Sequence, residues 1–165
     1  MLQTVLQQII ERHESLRTTF HRQPGISLPI QVIVDRLPPS WQFIDLTTLL
    51  PQAQPAKVKH LLQAEAQYSF DFERGPLLRA ALLALAPQNH LLWVTVPALC
   101  CDRQGLNTLL HDISQTYASC LQSGANDFPA VTQYLQFSEW QHELLADEAD
   151  AAAGIAYWQI GRAHV

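Results

Sequence analysis

Two adjacent cysteines, Cys100 and Cys101, stand beside Asp102 in a segment whose residue types could carry out chemistry. The segment lies between a predicted strand, His90–Val96, and a helix predicted to begin near Gly105. A thiolate at a helix N-terminus has a lowered pKa and is a good nucleophile, so a covalent acyl-cysteine relay is one hypothesis. The other, which we favour, is that both cysteines are small apolar residues packed beside a buried strand.

Metal binding by these cysteines and a histidine is disfavoured, because adjacent cysteines lack the two-to-four-residue spacing of zinc sites. His13 lies in the first predicted helix, where a structural role is expected. The other histidines are scattered, which indicates solvated side chains; they include His21, His60, His111 and His142. The sequence therefore predicts no metal site.

The elements that position this segment are read from hydrophobic periodicity. Apolar residues at steps of three and four predict an amphipathic helix from Leu2 to about Phe20. Two apolar runs joined by the tight link Ala86–Asn89 predict a β-hairpin whose strands are buried on both faces. The further predicted elements are strands Ile30–Val34, Trp41–Asp45, Leu78–Leu85 and His90–Val96, and helices Ala56–Tyr68, Gly105–Leu121 and Val131–Leu145. This alternation indicates an α/β or α+β fold with one open, mixed sheet.

Composition limits the class of protein and its partners. The chain has 165 residues, 48% hydrophobic and 15% charged, which suits one globular domain. Ten Lys and Arg against 15 Asp and Glu give a net charge of -5, which argues against a nucleic-acid partner. No apolar stretch approaches the roughly 18–20 residues of a membrane span, and no signal peptide is visible. Three cysteines make no disulfide framework, so we expect a cytoplasmic protein without a membrane partner.

Three stretches follow one another in an order that fits a known family. Arg12–Phe20 reads R-H-E-S-L-R-T-T-F, Phe70–Arg79 reads F-D-F-E-R-G-P-L-L-R, and Tyr134–Gln141 reads Y-L-Q-F-S-E-W-Q. They resemble the signatures R-H-E-x-L-R-T-x-F, F-D-L-x-x-G-P-L-x-R and Y-x-D-F-x-x-W-Q of the condensation domains of nonribosomal peptide synthetases, with Gln136 where Asp is usual. Tyr157-Trp158 also matches a Y-W pair of that family.

The resemblance implies a chloramphenicol-acetyltransferase-like lobe, an open mixed sheet packed with helices in a two-layer sandwich. Residues 1–159 would form an incomplete N-terminal lobe that lacks the first strand and helix of the family and the whole second lobe. We expect such a fragment to be poorly stable alone, because the missing strand exposes a sheet edge. The last six residues, 160–165, read like a translated sequencing adapter and are interpreted as a non-native tail.

The active-site signature of the family, H-H-x-x-x-D-G, falls on Pro97–Arg103. Only Asp102 matches it, because Pro97 and Ala98 replace the histidines and Arg103 replaces the glycine. In the family the second histidine is thought to position or deprotonate the attacking amine, which the methyl group of Ala98 cannot do. The substitution therefore makes ordinary condensation chemistry doubtful.

In the family the motif aspartate is mainly structural and forms an ion pair with an arginine. Arg17 and Arg79 are both candidates for that partner of Asp102, and the sequence does not choose between them.

The implied function is acyl or peptidyl transfer from a carrier-bound thioester to an acceptor amine or hydroxyl, in natural-product biosynthesis. The substrates would be carried on the phosphopantetheine of partner carrier domains, and no cofactor would bind directly. Carrier domains and an adenylation domain of the same synthetase are the expected partners. The fragment alone is expected to be inactive. The alternatives are a non-catalytic platform that docks carrier proteins or a tailoring enzyme, and a free-standing acyltransferase with soluble donors.

Overall fold

The computed structural model describes residues 1–122, 130–146 and 152. The chain divides into two compact units, Met1–Phe128 and Pro129–Val165. The Tyr157-Trp158 pair and the predicted tail at 160–165 lie outside the described residues.

Helices and strands alternate along the first unit. In chain order they are α1 (Leu2–Arg12), β1 (Thr18–His21), β2 (Ile30–Ile33), β3 (Ser40–Asp45), α2 (Gln54–Ala66), β4 (Arg79–Ala86), β5 (Asn89–Thr95) and α3 (Arg103–Leu121). The second unit contains α4 (Tyr134–Ala146) among its described residues. No described helix is both long enough and apolar enough to cross a membrane.

The first helix is shorter than its periodicity predicts. It ends at Arg12, a short 3-10 helix spans Glu14–Arg17, and Thr18–His21 forms β1, which pairs antiparallel with β2. The prediction of helix as far as Phe20 is therefore wrong over its last turns. The physical reason is that β-branched and aromatic residues after Arg17 favour a strand, and β2 supplies the backbone partners for it.

The main sheet is mixed, as predicted. Its order is β3-β4-β5, in which β3 runs parallel and β5 antiparallel to β4. The predicted hairpin is confirmed, since only Pro87 and Gln88 separate β4 from β5. The structure adds a separate two-stranded sheet of β1 and β2, which the prediction of one sheet did not contain.

The central strand β4 is buried on both faces, and helices cover each of them. On one face Ala80 packs in the core with residues of α1 and α3. On the other face Ala81 and Leu83 pack with Val58 and Leu61 of α2. Removing this apolar area from water is the main source of stability, at about 25 cal/mol per Å². The largest fully buried side chains among the described residues are Val5, Leu6, Ile9, Ile10, Leu16, Leu77, Leu78 and Leu83.

None of the residues of α2 is completely buried, so polar contacts help to hold this helix against the sheet. Arg79 donates from Nε and Nη2 to the two carboxylate oxygens of Glu65, at 2.7 and 2.8 Å. The Arg79 guanidinium also lies 3.6 Å from the centre of the Tyr68 ring. At the other end of α2, Gln54 Nε2 donates to the carbonyls of Leu46 and Leu85. The hydrogen bonds from Arg79 hold the pKa of Glu65 below its usual 4.5.

Replacing Glu65 by Gln is expected to lower the free energy of unfolding by about 1–3 kcal/mol at pH 7, because a charge-assisted pair is lost. The folded-state pKa of Glu65 is lowered, so this stabilisation is present above pH 4.5 and disappears as the pH falls through the folded value. Urea unfolding at pH 7 and pH 3 measures both effects. Glu73→Gln, at an exposed position, is the matched control and should change stability by less than about 0.5 kcal/mol. An equal loss at both pH values would contradict the prediction.

Candidate functional site

The segment Pro97–Arg103 connects β5 to α3, as its place between a strand and a helix predicts. Pro97 is buried, and its carbonyl accepts a 2.9 Å hydrogen bond from the Cys100 amide, which closes a turn. Ala98 lies in this turn with its methyl group exposed. The position where the resemblance expects a catalytic histidine is therefore accessible and carries no polar group.

Asp102 is the N-cap of α3. Its Oδ1 atom accepts a 2.7 Å hydrogen bond from the Gly105 amide, and its carbonyl accepts one of 2.9 Å from the Leu106 amide. A carboxylate satisfies an otherwise unpaired N–H at a helix start and interacts favourably with the helix dipole. Asp102 thus has a structural role within the loop, because it fixes where α3 begins.

Gly105 makes this cap possible. A Cβ atom at that position would lie 3.0 Å from Cys101 Cβ and 3.3 Å from Asp102 Oδ1. Contacts this short would push the capping carboxylate or the Cys101 side chain out of place. The sequence pattern predicted Gly105 only as a helix boundary. The spacing of a glycine three residues after an aspartate would also have indicated the helix cap.

The two candidate arginines have partners other than Asp102. Arg79 is bound by both oxygens of Glu65, whereas Arg17 donates to the Val34 carbonyl at 2.7 Å and to Glu14 at 3.2 Å. Among the described residues, no ion pair joins Asp102 to either arginine. Arg17 Nε is buried and has no hydrogen-bond partner within the described part of the chain. Of the two arginines, Arg17 is therefore the one with a buried donor still available to a carboxylate.

The environment of the two cysteines opposes thiolate formation. Burial, together with the neighbouring Cys101, raises the pKa of Cys100 to about 12. Burial also raises the pKa of Cys101, with a further contribution from the Asp102 carboxylate. These shifts run against the hypothesis of an activated thiolate, because burial disfavours the charged form of a thiol. Cys100 packs against the main core, which supports the interpretation as an apolar filler.

The other candidate group, His13, interacts with a carboxylate from α3. His13 Nε2 lies 2.8 Å from Asp112 Oδ2, and Arg12 Nε lies 3.4 Å from the same oxygen. These contacts tie the end of α1 to the middle of α3. A structural role for His13 was expected, but Asp112 was not identified, since their separation of 99 residues leaves no local pattern.

No metal centre accompanies the loop in the part of the chain that the structure describes. Across residues 1–122, 130–146 and 152, no three His, Cys, Asp or Glu side chains gather as a possible metal group. All three cysteines, Cys100, Cys101 and Cys120, are free.

An open groove of about 510 Å³ adjoins the loop at Leu99, whose side chain is 60% exposed. Three phenylalanines, Phe20, Phe70 and Phe72, contribute to its apolar part. The ring centre of Phe72 lies 6.2 Å from that of Phe20 and 6.5 Å from that of Phe70. The remaining lining residues are Arg22, Pro29, Asp71 and Glu73. These described lining residues include no imidazole or thiol, and the three phenylalanines with Pro29 and Leu99 offer apolar contact.

Comparison with known proteins agrees with this arrangement. The family model described as Condensation domain matches residues 1–164. Over 96% of this chain, the sequence is 33% identical to chondramide synthase of Chondromyces crocatus. Over 95% of this chain, it is 31% identical to tyrocidine synthase 3 of Brevibacillus parabrevis. It spans only 4% and 2% of these two proteins.

A solved structure shows the same fold. The starter condensation domain of rhizomide synthetase superposes with a TM-score of 0.82 at 23% identity, over 99% of this chain and 40% of that one. The prediction of a chloramphenicol-acetyltransferase-like partial lobe is thereby confirmed.

Replacing Asp102 by Ala is expected to reduce the free energy of unfolding by about 1 kcal/mol, because the Gly105 amide loses its acceptor. Asp102→Asn keeps an acceptor oxygen and should restore most of the loss, while Arg103→Ala, at the next exposed position, should have little effect. Urea midpoints of the three variants provide the measurement. A loss with Arg103→Ala as large as that with Asp102→Ala would refute the capping role.

Alkylation of the native chain by iodoacetamide should be slow at Cys100, since its thiol has a pKa of about 12 and little thiolate exists at pH 8. Mass spectrometry of each cysteine-containing peptide, between pH 7 and pH 10, measures the rates. The same peptides in urea, where burial is lost, serve as the control and should react faster. A rate at Cys100 that levels off below pH 8 in the native chain would show an activated thiolate.

Proposed function

Because this chain belongs to the condensation-domain family, we propose that it forms the N-terminal part of a domain that transfers an acyl or peptidyl group. The donor is a carrier-bound thioester, and the acceptor is an amine or hydroxyl. In this transfer the acceptor forms a bond to the thioester carbonyl carbon, the C–S bond breaks, and the acceptor proton accompanies the departing thiol. The observation that carries the proposal is the match to the family over residues 1–164.

The partners of this activity follow from the same membership. The substrates are held as thioesters on the phosphopantetheine arms of carrier domains, and an adenylation domain of the same synthetase supplies the activated building block. The similar proteins are synthases of which this chain spans a few per cent, which supports a role as one piece of a multidomain enzyme. They do not favour the alternative of a non-catalytic docking platform.

The replaced histidines determine how such a domain would work. A positioned acid–base group contributes roughly 10²–10⁴ to a rate. Ala98 provides none, and the raised pKa values of the Cys100 and Cys101 thiols argue against either cysteine as a substitute. The domain would therefore rely on holding the amine and the thioester close together, which by itself provides a large effective concentration. Residues 1–165 alone should be inactive, because they correspond to only 40% of the chain of a similar condensation domain and their loop offers no base.

Introducing histidine at Ala98 tests whether the domain works without an acid–base group in this loop. The experiment uses the intact synthetase module, with carrier domains loaded with donor and acceptor. Ala98 is exposed within this chain, so the substitution does not disturb its core. We expect product formation to rise by about 10²–10⁴ with Ala98→His, because a base is regained beside the acceptor. Ala98→Gln, which is polar but cannot accept a proton at neutral pH, is the control and should leave the rate unchanged.

Product formation is followed by mass spectrometry of the acceptor carrier domain. An unchanged rate with Ala98→His, while both carriers remain loaded, would show that acyl transfer does not take place at this loop.

A further inference from the structure

The loop at Pro97–Arg103 leaves the sheet from the end of β5. Thr95 is the last residue of β5, and it lies opposite Arg79, the first residue of β4, in the antiparallel pairing of the two strands. Only Val96 separates Thr95 from Pro97, where the loop begins. Whatever holds the Arg79–Thr95 pair in place therefore sets the point at which the loop leaves the sheet.

Polar side chains replace apolar ones at this end of the sheet. Leu91 and Trp93 of β5 pack in the cluster beneath α2. Both are half-buried, although the sequence predicted a strand buried on both faces. Because side chains alternate along a strand, Thr95 lies on the same face as these two residues. Arg79 lies on that face as well, two residues before Ala81, which packs in the same cluster.

A single carboxylate of α2 interacts with both members of the cross-strand pair. Glu65 accepts hydrogen bonds of 2.7 and 2.8 Å from Arg79, and the side chains of Arg79 and Glu65 are only 17% and 11% exposed. The hydrogen bonds from Arg79 are the largest cause of the lowered pKa of Glu65, and a hydrogen bond from the Thr95 hydroxyl contributes to a smaller extent. A bidentate charged pair of this kind holds its two partners in a defined geometry.

The hydrogen bonds within the loop do not supply this placement. The Asp102 cap and the turn from Pro97 to Cys100 join residues of the loop to one another and to the start of α3. They fix the shape of the loop, whereas on the strand side its position depends on where β5 ends. A site that works by holding two reactants close together is sensitive to that position, since a misplacement of about 1 Å can lower a rate by about 10²-fold.

We propose that Glu65 is a positioning residue for acyl transfer, which holds the Arg79–Thr95 pair and thereby the start of the loop that carries Ala98. The proposal rests on the function proposed above. In this role Glu65 acts through Arg79 and β5 and does not contact the reacting groups. Its loss should therefore displace the loop while leaving the binding of the carrier domains intact.

Glu65→Gln in the intact synthetase module, with carrier domains loaded with donor and acceptor, tests the proposal. The amide keeps the size of the side chain and removes its charge. We expect kcat for product formation to fall by about 10- to 100-fold, with KM for the acceptor-loaded carrier domain unchanged. The matched control is Val58→Ala, which weakens the packing of α2 on the sheet about two turns before Glu65, and it should change neither constant. Both variants are assayed at a temperature at which the amides of β4 remain protected from hydrogen exchange.

Hydrogen exchange of the same modules, followed by mass spectrometry, gives a second measurement that does not require activity. Amides of residues 95–101 should exchange faster with Glu65→Gln than in the unmodified module, because the strand end and the turn at Cys100 lose their anchor. The same amides should be unaffected by Val58→Ala.

Unchanged exchange of residues 95–101 with Glu65→Gln, an equal loss of kcat in both variants, or a change confined to KM would each overturn the proposal. An unmodified module that forms no product would instead contradict the proposed function. The exchange of residues 95–101 would then still decide whether Glu65 positions the loop.

Discussion

Burial of β4 on both faces governs where the other elements of the first unit lie. A strand with apolar residues on both sides requires a cover on each face, and α1 with α3 provides one while α2 provides the other. The two covers are held differently. α1 contributes four fully buried side chains, whereas α2 contributes none and relies in part on the Arg79–Glu65 pair. The connection from β5 to α3 is then fixed, because α3 must return across the first face.

That return places the loop at Pro97–Arg103, whose residues match the family signature only at Asp102. Asp102 caps α3, and Gly105 allows the cap to form. Together with the turn from Pro97 to Cys100, this cap holds the loop without a histidine. Structure and catalysis therefore depend on different residues at this site. The start of α3 depends on the Asp102 carboxylate and on Gly105, whereas acid–base catalysis would need an imidazole, which Ala98 does not supply.

The sequence predicted the long periodic elements well and the short or distant features poorly. The β4–β5 hairpin and α3 were correct because their apolar patterns extend over many residues. β1 was missed because helical periodicity continues past Arg12, and only pairing with β2 decides the strand. The raised pKa of the Cys100 thiol agrees with the favoured interpretation of an apolar filler, and its cause, burial, is not visible in a sequence. Asp112 was missed because its partner lies 99 residues away.

Residue identity and local spacing were enough to predict the family, the mixed sheet and a connection between β5 and α3. That this connection carries the altered motif stays a prediction. Which groups meet was decided in three dimensions. Packing paired Arg79 with Glu65 and, among the described residues, left a buried donor on Arg17 without an acceptor. These outcomes depend on contacts between segments far apart in the chain, and the free energy of a contact depends on its burial, which no local pattern records.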